Sequence, residues 1–240
     1  MPALADGRVG LSFGRVADEY ERVRPEYTEE AVDHVAWGLG LEPTATVLDL
    51  AAGTGKLTRV LQRRFAHVIA VEPDDAMRAK IDGDARAGSA ESIPVADVSV
   101  EAVFVGDAFH WFDAPVALRE IRRVLRGGGG LALLSNHWPI PEDGEARRLL
   151  DEVWRRFHGD TRFEATWVAE LEQALGPFER AVFERELVLD NEAYAELCVT
   201  GSCPSALPDD ERELLRRGLA ENFDAVVRLT APVEAWWVRT

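Results

Sequence analysis

Val47-Leu48-Asp49-Leu50-Ala51-Ala52-Gly53-Thr54-Gly55-Lys56-Leu57-Thr58 runs from an apolar strand through a glycine turn into a helix. Residues 46–50 are apolar, β-branched at their start and too few for a helix, which reads as a buried strand. Leu57, Val60, Leu61 and Phe65 then recur at helical spacing. Glycines in a turn directly after a first parallel strand let backbone approach a ligand closely, in the crevice outside the strand C-termini. Spacing separates the ligand classes. A triphosphate loop needs glycine five residues before Gly55 and Ser or Thr after Lys56, where this chain has Leu50 and Leu57. A dinucleotide fingerprint starting at Gly53 would place its third small residue at Thr58, which weakens that reading without removing it.

The same alternation extends in both directions. Ala31, Val32, Val35, Ala36 and Leu39 predict a helix opened by Thr28, with Glu29 and Glu30 in its first turn. Residues 67–71 read as a second buried strand, ended by Glu72-Pro73. A short helix around 74–81 and a weak strand near 85–90 follow. Residues 102–105 are a fourth strand, and Ala117, Ile121, Val124 and Leu125 mark a helix that Gly127–Gly130 should stop. Leu131–Leu134 is a fifth strand. Such alternation implies right-handed crossovers and a mostly parallel sheet covered on both faces, a doubly wound α/β unit. Further on, helices are expected after Glu142, over Trp167–Leu175 and from Asp209-Asp210-Glu211 onward. Strands are expected over Phe183–Leu189 and Val233–Val238.

The composition is ordinary for a globular chain: 240 residues, 47% hydrophobic and 29% charged, which excludes disorder and fibres. With 27 basic and 43 acidic side chains the formal charge is −16, which argues against nucleic acid and anionic membrane surfaces as partners. Cys198 and Cys203 make neither a disulfide framework nor a zinc site, and no metal is expected. The first residues carry Asp6, Arg8 and Arg15 without an apolar run, so no signal peptide is read. The longest stretch free of charged side chains, Gly127–Pro141, is too short and too rich in glycine to span a bilayer. A soluble, cytoplasmic protein is expected.

What remains of the glycine turn is acid–x–small–x–Gly–x–Gly, with Asp49 at the strand tip. An acid there disfavours a phosphate ligand but not a cationic one. This pattern resembles the first motif of class I S-adenosylmethionine-dependent methyltransferases, with Ala51 in place of the first glycine. The resemblance implies a Rossmann-like, seven-stranded sheet with a helical cap, and S-adenosyl-L-methionine as cofactor. It assigns Asp49, Ala51, Gly53, Thr54, Gly55 and Gly106 to the cofactor, and Glu72 to the ribose hydroxyls. Pro73 and Met77 would wall the adenine, and within 88–94 the Ala90 backbone and Glu91 side chain would meet its edge. Tyr20 and Arg24 would close over the methionine portion, Arg24 pairing with its carboxylate.

Residues 13–20 and 24–27, 108–113 and 189–215 extend the likeness to the group containing trans-aconitate methyltransferase-like proteins and natural-product O-methyltransferases. Departures are Ala51, Glu101 and Gly128. One domain over 1–240 is expected: N-terminal lid helices 1–40, a cofactor-binding core 41–137, a cap 138–178, and C-terminal strands and helices 179–240.

Methyl transfer from a sulfonium needs alignment, plus a base where the acceptor is a hydroxyl. The resemblance implies a small-molecule acceptor methylated on a hydroxyl or carboxylate oxygen. His110, after the fourth strand, is the expected catalytic base, because an imidazole accepts a proton near neutrality. Trp111, Asn136, His137, Trp138 and Arg162 are expected at the substrate, His137 being the alternative base. Trp154, Phe157, Phe163 and Trp167 suggest either an apolar wall or core packing. His34, His67 and His158 read as structural. The rival functions are a non-methylating cyclase or binding protein on the same fold, and a nicotinamide oxidoreductase. Thr58 and the absence of Tyr-x-x-x-Lys after the fourth strand disfavour the last.

Overall fold

The structure, a computed structural model, describes residues 13–140, 142, 144–159 and 167–240. A 3₁₀ turn (Phe13–Val16) and α1 (Ala17–Val23) precede α2 (Glu29–Gly38) and β1 (Thr46–Leu50). Then come α3 (Lys56–Arg64), β2 (His67–Val71), α4 (Asp75–Arg78), β3 (Asp84–Arg86) and β4 (Val100–Gly106). A second 3₁₀ turn (Phe109–Trp111) leads to α5 (Ala114–Val124) and β5 (Leu125–Asn136). After these lie α6 (Gly144–His158), α7 (Trp167–Leu175), β6 (Glu179–Phe183) and β7 (Glu186–Asp190). The chain closes with α8 (Asn191–Val199), α9 (Ser202–Ser205), α10 (Asp209–Glu221), β8 (Val226–Thr230) and β9 (Val233–Arg239).

Seven strands form one sheet in the order β3-β2-β1-β4-β5-β9-β6. The first five run parallel, while β9 is antiparallel to both β5 and β6. This is the mostly parallel, doubly wound architecture expected from the sequence. Val47, Leu48 and Leu50 of β1 are fully buried, because helices cover both faces of a parallel sheet. One apolar cluster joins β1, β4 and β5 to α2 and α3 through Val35, Leu57, Leu61 and Phe104. The other joins the opposite face to α5 through Ile121 and Val124, and to α7 through Leu171.

Two sequence expectations change. The glycine run does not end a helix before a separate strand: Gly127–Gly130 lies inside β5, whose pairing with β4 shifts register between Val100 and Ala102. Gly130 is required there, since a Cβ would stand 2.4 Å from a Leu39 methyl. The strand expected over 183–189 is two strands in different sheets, β6 pairing with β9 and β7 with β8. Two compact units are interleaved along the chain. Pro25–His137, Ala165–Glu184 and Pro232–Thr240 form the sheet unit. Met1–Arg24, Trp138–Glu164 and Arg185–Ala231 form the other. Helices α2 and α7 belong to the sheet unit, and α1 and α6 to the other. The physical reason is apolar packing: Leu171 of α7 is buried in the sheet core, whereas Ala146 of α6 is buried with Tyr194, Leu215 and Leu219.

Among the described residues, no helix is long and apolar enough to cross a membrane.

Candidate cofactor and catalytic site

The parallel strands bring Leu50, Val71 and Gly106 to one edge of the sheet, where the chain turns from strand to helix. Ala51, Gly53 and Gly55 there all have positive φ (58°, 58° and 84°), so the backbone folds back tightly before α3. A Cβ added to Gly53 would meet nothing within 4 Å, leaving open space over that peptide.

Asp49, next to last in β1, is fully buried. Its Oδ2 accepts a 2.6 Å hydrogen bond from the Thr58 hydroxyl, while Oδ1 is buried with no partner. Burial pushes the Asp49 carboxyl up to about 7; the Thr58 bond opposes the shift and the nearby Glu72 charge adds to it. Thr54 Oγ1 is likewise buried without a partner. An unpartnered carboxyl oxygen and an unpartnered hydroxyl beside an open, left-handed glycine turn fit a ligand that brings N–H donors and positive charge to the carboxyl. They do not suit a phosphate.

Glu72 ends β2 almost fully buried, and burial raises its pKa. Its Oε2 accepts from Gly53 N at 2.8 Å and its Oε1 from Asp74 N at 2.9 Å. The side chain therefore locks the glycine turn to the β2–α4 turn, while each carboxylate oxygen keeps a lone pair for a hydroxyl. Pro73 is exposed beside it; Met77 is buried on α4, whose N-cap Asp74 accepts from Ala76 N and Met77 N at 2.9 Å. Ala90 is buried, and Glu91 Oε1 accepts from Asp113 N at 3.0 Å, fastening its segment to the start of α5.

After β4 the chain holds a residue that the motif reading passed over. Asp107 has φ +52° and accepts from Tyr27 Oη at 2.7 Å, from Ser135 Oγ at 2.5 Å and from Asn136 N at 3.1 Å. Its carboxylate thus joins the tips of β4 and β5 to the segment entering α2. Gly106 serves this arrangement, since a Cβ there would lie 2.6 Å from Tyr27 Oη. His110 follows in the 3₁₀ turn, part-buried, with its ring 4.7 Å from that of Trp111. Burial lowers the His110 pKa and the Asp107 charge opposes the shift. At neutral pH the imidazole is uncharged and has a lone pair to accept a proton.

The other expected residues separate. Asn136 uses its backbone N–H on Asp107 and its amide on Pro25 O at 3.3 Å. His137 Nε2 stands 4.0 Å from Glu234, which also binds Arg180 at 3.0 Å. Tyr20, Arg24 and Trp138 belong to the second compact unit. There Arg24 Nε and Nη2 donate to the Thr200 hydroxyl and carbonyl at 2.9 and 2.7 Å, and its guanidinium stacks on Trp138 at 4.3 Å. Arg162 lies outside the described residues. His34 packs against Trp37, Phe183 and Trp237, and His158 against Trp154 at 4.2 Å.

Two residues that the sequence reading did not assign to the candidate site, Thr58 and Asp107, hydrogen-bond to residues expected in it, and only one left a signal. Thr58 was weighed as a misfit for a dinucleotide loop, yet its hydroxyl is the donor that Asp49 requires. Asp107, directly after the fourth strand, was visible only as an acid in a loop.

A family profile described as a methyltransferase domain matches residues 48–133. An uncharacterized methyltransferase-like protein of Schizosaccharomyces pombe is 33% identical over 224 residues, covering 89% of this chain and 86% of that one. An uncharacterized methyltransferase of Mycobacterium tuberculosis is 47% identical over 135 residues, 53% of either chain, so this chain spans about half the length of that relative. In fold, the chain is similar to a solved candidate type II methyltransferase of Anaeromyxobacter dehalogenans. Their TM-score is 0.58 at 22% identity, covering 90% of this chain and 97% of that one. The extended similarity to the yeast protein agrees with a glycine turn built for a cationic ligand. The chain belongs to the class I S-adenosylmethionine-dependent methyltransferases, and S-adenosylmethionine is its cofactor.

Proposed function

We propose that this protein methylates an oxygen, hydroxyl or carboxylate, of a small-molecule acceptor, with His110 taking the proton from a hydroxyl. When bound, the cofactor supplies an electrophilic methyl group on a sulfonium that departs as a neutral thioether. Asp49, Thr54 and Gly53 would hold its amino-acid end, the unpartnered Asp49 Oδ1 attracting the ammonium. Glu72 would accept the ribose hydroxyls, and Met77 with Ala90 would pack against the adenine. His110 would then accept the acceptor's proton at an imidazole nitrogen, and Asp107 would stabilise the resulting imidazolium.

The observation that carries this reading is His110 itself. It is a neutral, part-buried imidazole in the turn after β4, four residues beyond the end of the strand that pairs with β1. A neutral general base is needed for a hydroxyl and superfluous for a carboxylate or an already unprotonated amine.

The test incubates the protein with S-adenosylmethionine and a panel of hydroxy, carboxy and amino compounds, and reads a gain of one methyl by mass spectrometry. Methylated hydroxy or carboxy compounds are expected. Cofactor binding without any methyl gain favours the non-methylating alternative, and a gain on nitrogen alone sinks the oxygen assignment.

A further inference from the structure

The second compact unit holds a cavity of about 590 Å³, a volume typical of small-molecule sites. One wall is a single face of α6: Arg147, Leu150, Asp151, Trp154 and Arg155 recur at three- and four-residue spacing and all line it. The opposite wall is the α8–α9 turn, with Cys198, Cys203 and Pro204, and Trp138 and Ile140 complete the enclosure.

The lining is chemically lopsided. Two indoles and three aliphatic side chains make it apolar. The thiols add to this, since burial pushes Cys198 up to about 12 and Cys203 up to about 11, leaving both protonated. Trp138 is held from behind by Arg24, which is fastened to Thr200 beside the α8–α9 turn, so this wall is preorganised. The charges do not cancel. Arg147 and Asp151 neutralise each other at 2.9 Å, whereas Arg155 lies exposed with no ion-pair partner among the described residues. In a chain of formal charge −16, a cation without an ion-pair partner among the described residues, beside an aromatic cavity, favours an anionic ligand with an apolar body.

We infer that this cavity binds a small carboxylic acid with an aromatic or branched apolar body, its carboxylate drawn to Arg155. The body would lie between Trp138 and Trp154.

The test is calorimetric titration of the whole chain with 1-naphthylacetate and, separately, with the uncharged 1-naphthylacetamide. The acid is expected to bind about tenfold more tightly than the amide, and the preference to shrink as salt rises. Arg155→Gln should bring the two within about twofold of each other, and Trp154→Ala should weaken both about fivefold. Circular dichroism and S-adenosylhomocysteine binding check that each variant is folded. Equal affinity for acid and amide, or a preference that survives Arg155→Gln, overturns the carboxylate assignment. Absence of binding by either probe at millimolar concentration overturns the cavity. S-adenosylhomocysteine is titrated independently and reports on the cofactor site, so failure here is distinguishable from failure of the methyltransferase reading.

Discussion

Tyr27 Oη donates a 2.7 Å hydrogen bond to Asp107 Oδ2, and the same phenol closes over Gly106 so tightly that a Cβ there would come within 2.6 Å of its oxygen. This contact ties the segment before α2 to the tips of β4 and β5, beside the turn that carries His110. Gly106→Ala is therefore expected to cost about 1–3 kcal/mol in chemical denaturation through steric overlap. The penalty should shrink in a Tyr27→Ala background. Equal penalties in both backgrounds would mean that Tyr27 is not the obstacle.

Ala51 occupies a left-handed position, φ 58°, where the family motif has glycine. An L-residue there is strained, while glycine adds chain entropy to the unfolded state, so the two effects partly offset. Ala51→Gly should still raise stability by about 0.5–1 kcal/mol, read from the urea midpoint at unchanged slope. A lowered midpoint would show that the methyl group contributes packing that outweighs the backbone strain.

With Asp49 at the cofactor's ammonium, as proposed, cofactor binding is expected to depend on pH. Its folded value of about 7 lies above the ordinary 3.8, so its contribution to stability is fully present below about 3.8 and lost as pH rises through 7. A cationic ligand binds best to the ionised form. Affinity for S-adenosylhomocysteine, which keeps the ammonium, should thus rise from pH 5.5 to about 7 and then level off. Calorimetry in buffers of different ionisation enthalpy should register proton release below pH 7. Asp49→Asn should weaken binding about tenfold or more at pH 8 and flatten the profile. A profile unchanged in that variant would remove Asp49 from the linkage.

Thr58 supplies the bond that holds Asp49 Oδ2, at 2.6 Å, and that bond lowers the Asp49 pKa. Thr58→Val should move the midpoint of the affinity profile upward. The loss of affinity should therefore be severalfold at pH 7 and smaller at pH 8.5. An equal loss at both values would point to displaced packing instead.

His110, with its pKa lowered by burial, is the group expected to set the acid limb of turnover. For a hydroxyl acceptor, kcat/KM should climb with unit slope to a midpoint below pH 6.5 and then stay flat. His110→Ala should reduce turnover about 10²- to 10⁴-fold and remove that limb, with S-adenosylhomocysteine affinity little changed. A retained limb in that variant would transfer the base role to another group.

How much of this could be read from the chain divides by range. Asp49, Gly53 and Gly55 stand within a few residues of one another, so strand-tip spacing exposes them directly. Glu72 is a candidate because a doubly wound repeat places its second strand end about twenty residues later. Asp107 and Thr58 were missed because each matters through a partner: Asp107 through Tyr27, Ser135 and Asn136, Thr58 through a helix–strand hydrogen bond. Arg24 read as a carboxylate partner for the cofactor, whereas the fold commits two of its donors to Thr200, 176 residues away. The α6 face that lines the cavity was partly seen as aromatic spacing, but aromatics at that spacing suit a core equally well.

The parallel sheet and the cationic cofactor were legible in local stretches of the chain. Hydrophobic periodicity, glycine spacing and the sign of one buried charge are local properties. Tertiary structure alone decided how the last hundred residues are shared. Leu171 carries α7 to the sheet, while Ala146 carries α6 to Tyr194 and Leu219, and β7 pairs with β8 away from the seven-stranded sheet. Those assignments depend on which apolar face finds a complementary one far along the chain, and periodicity shows that a face exists without showing where it is buried.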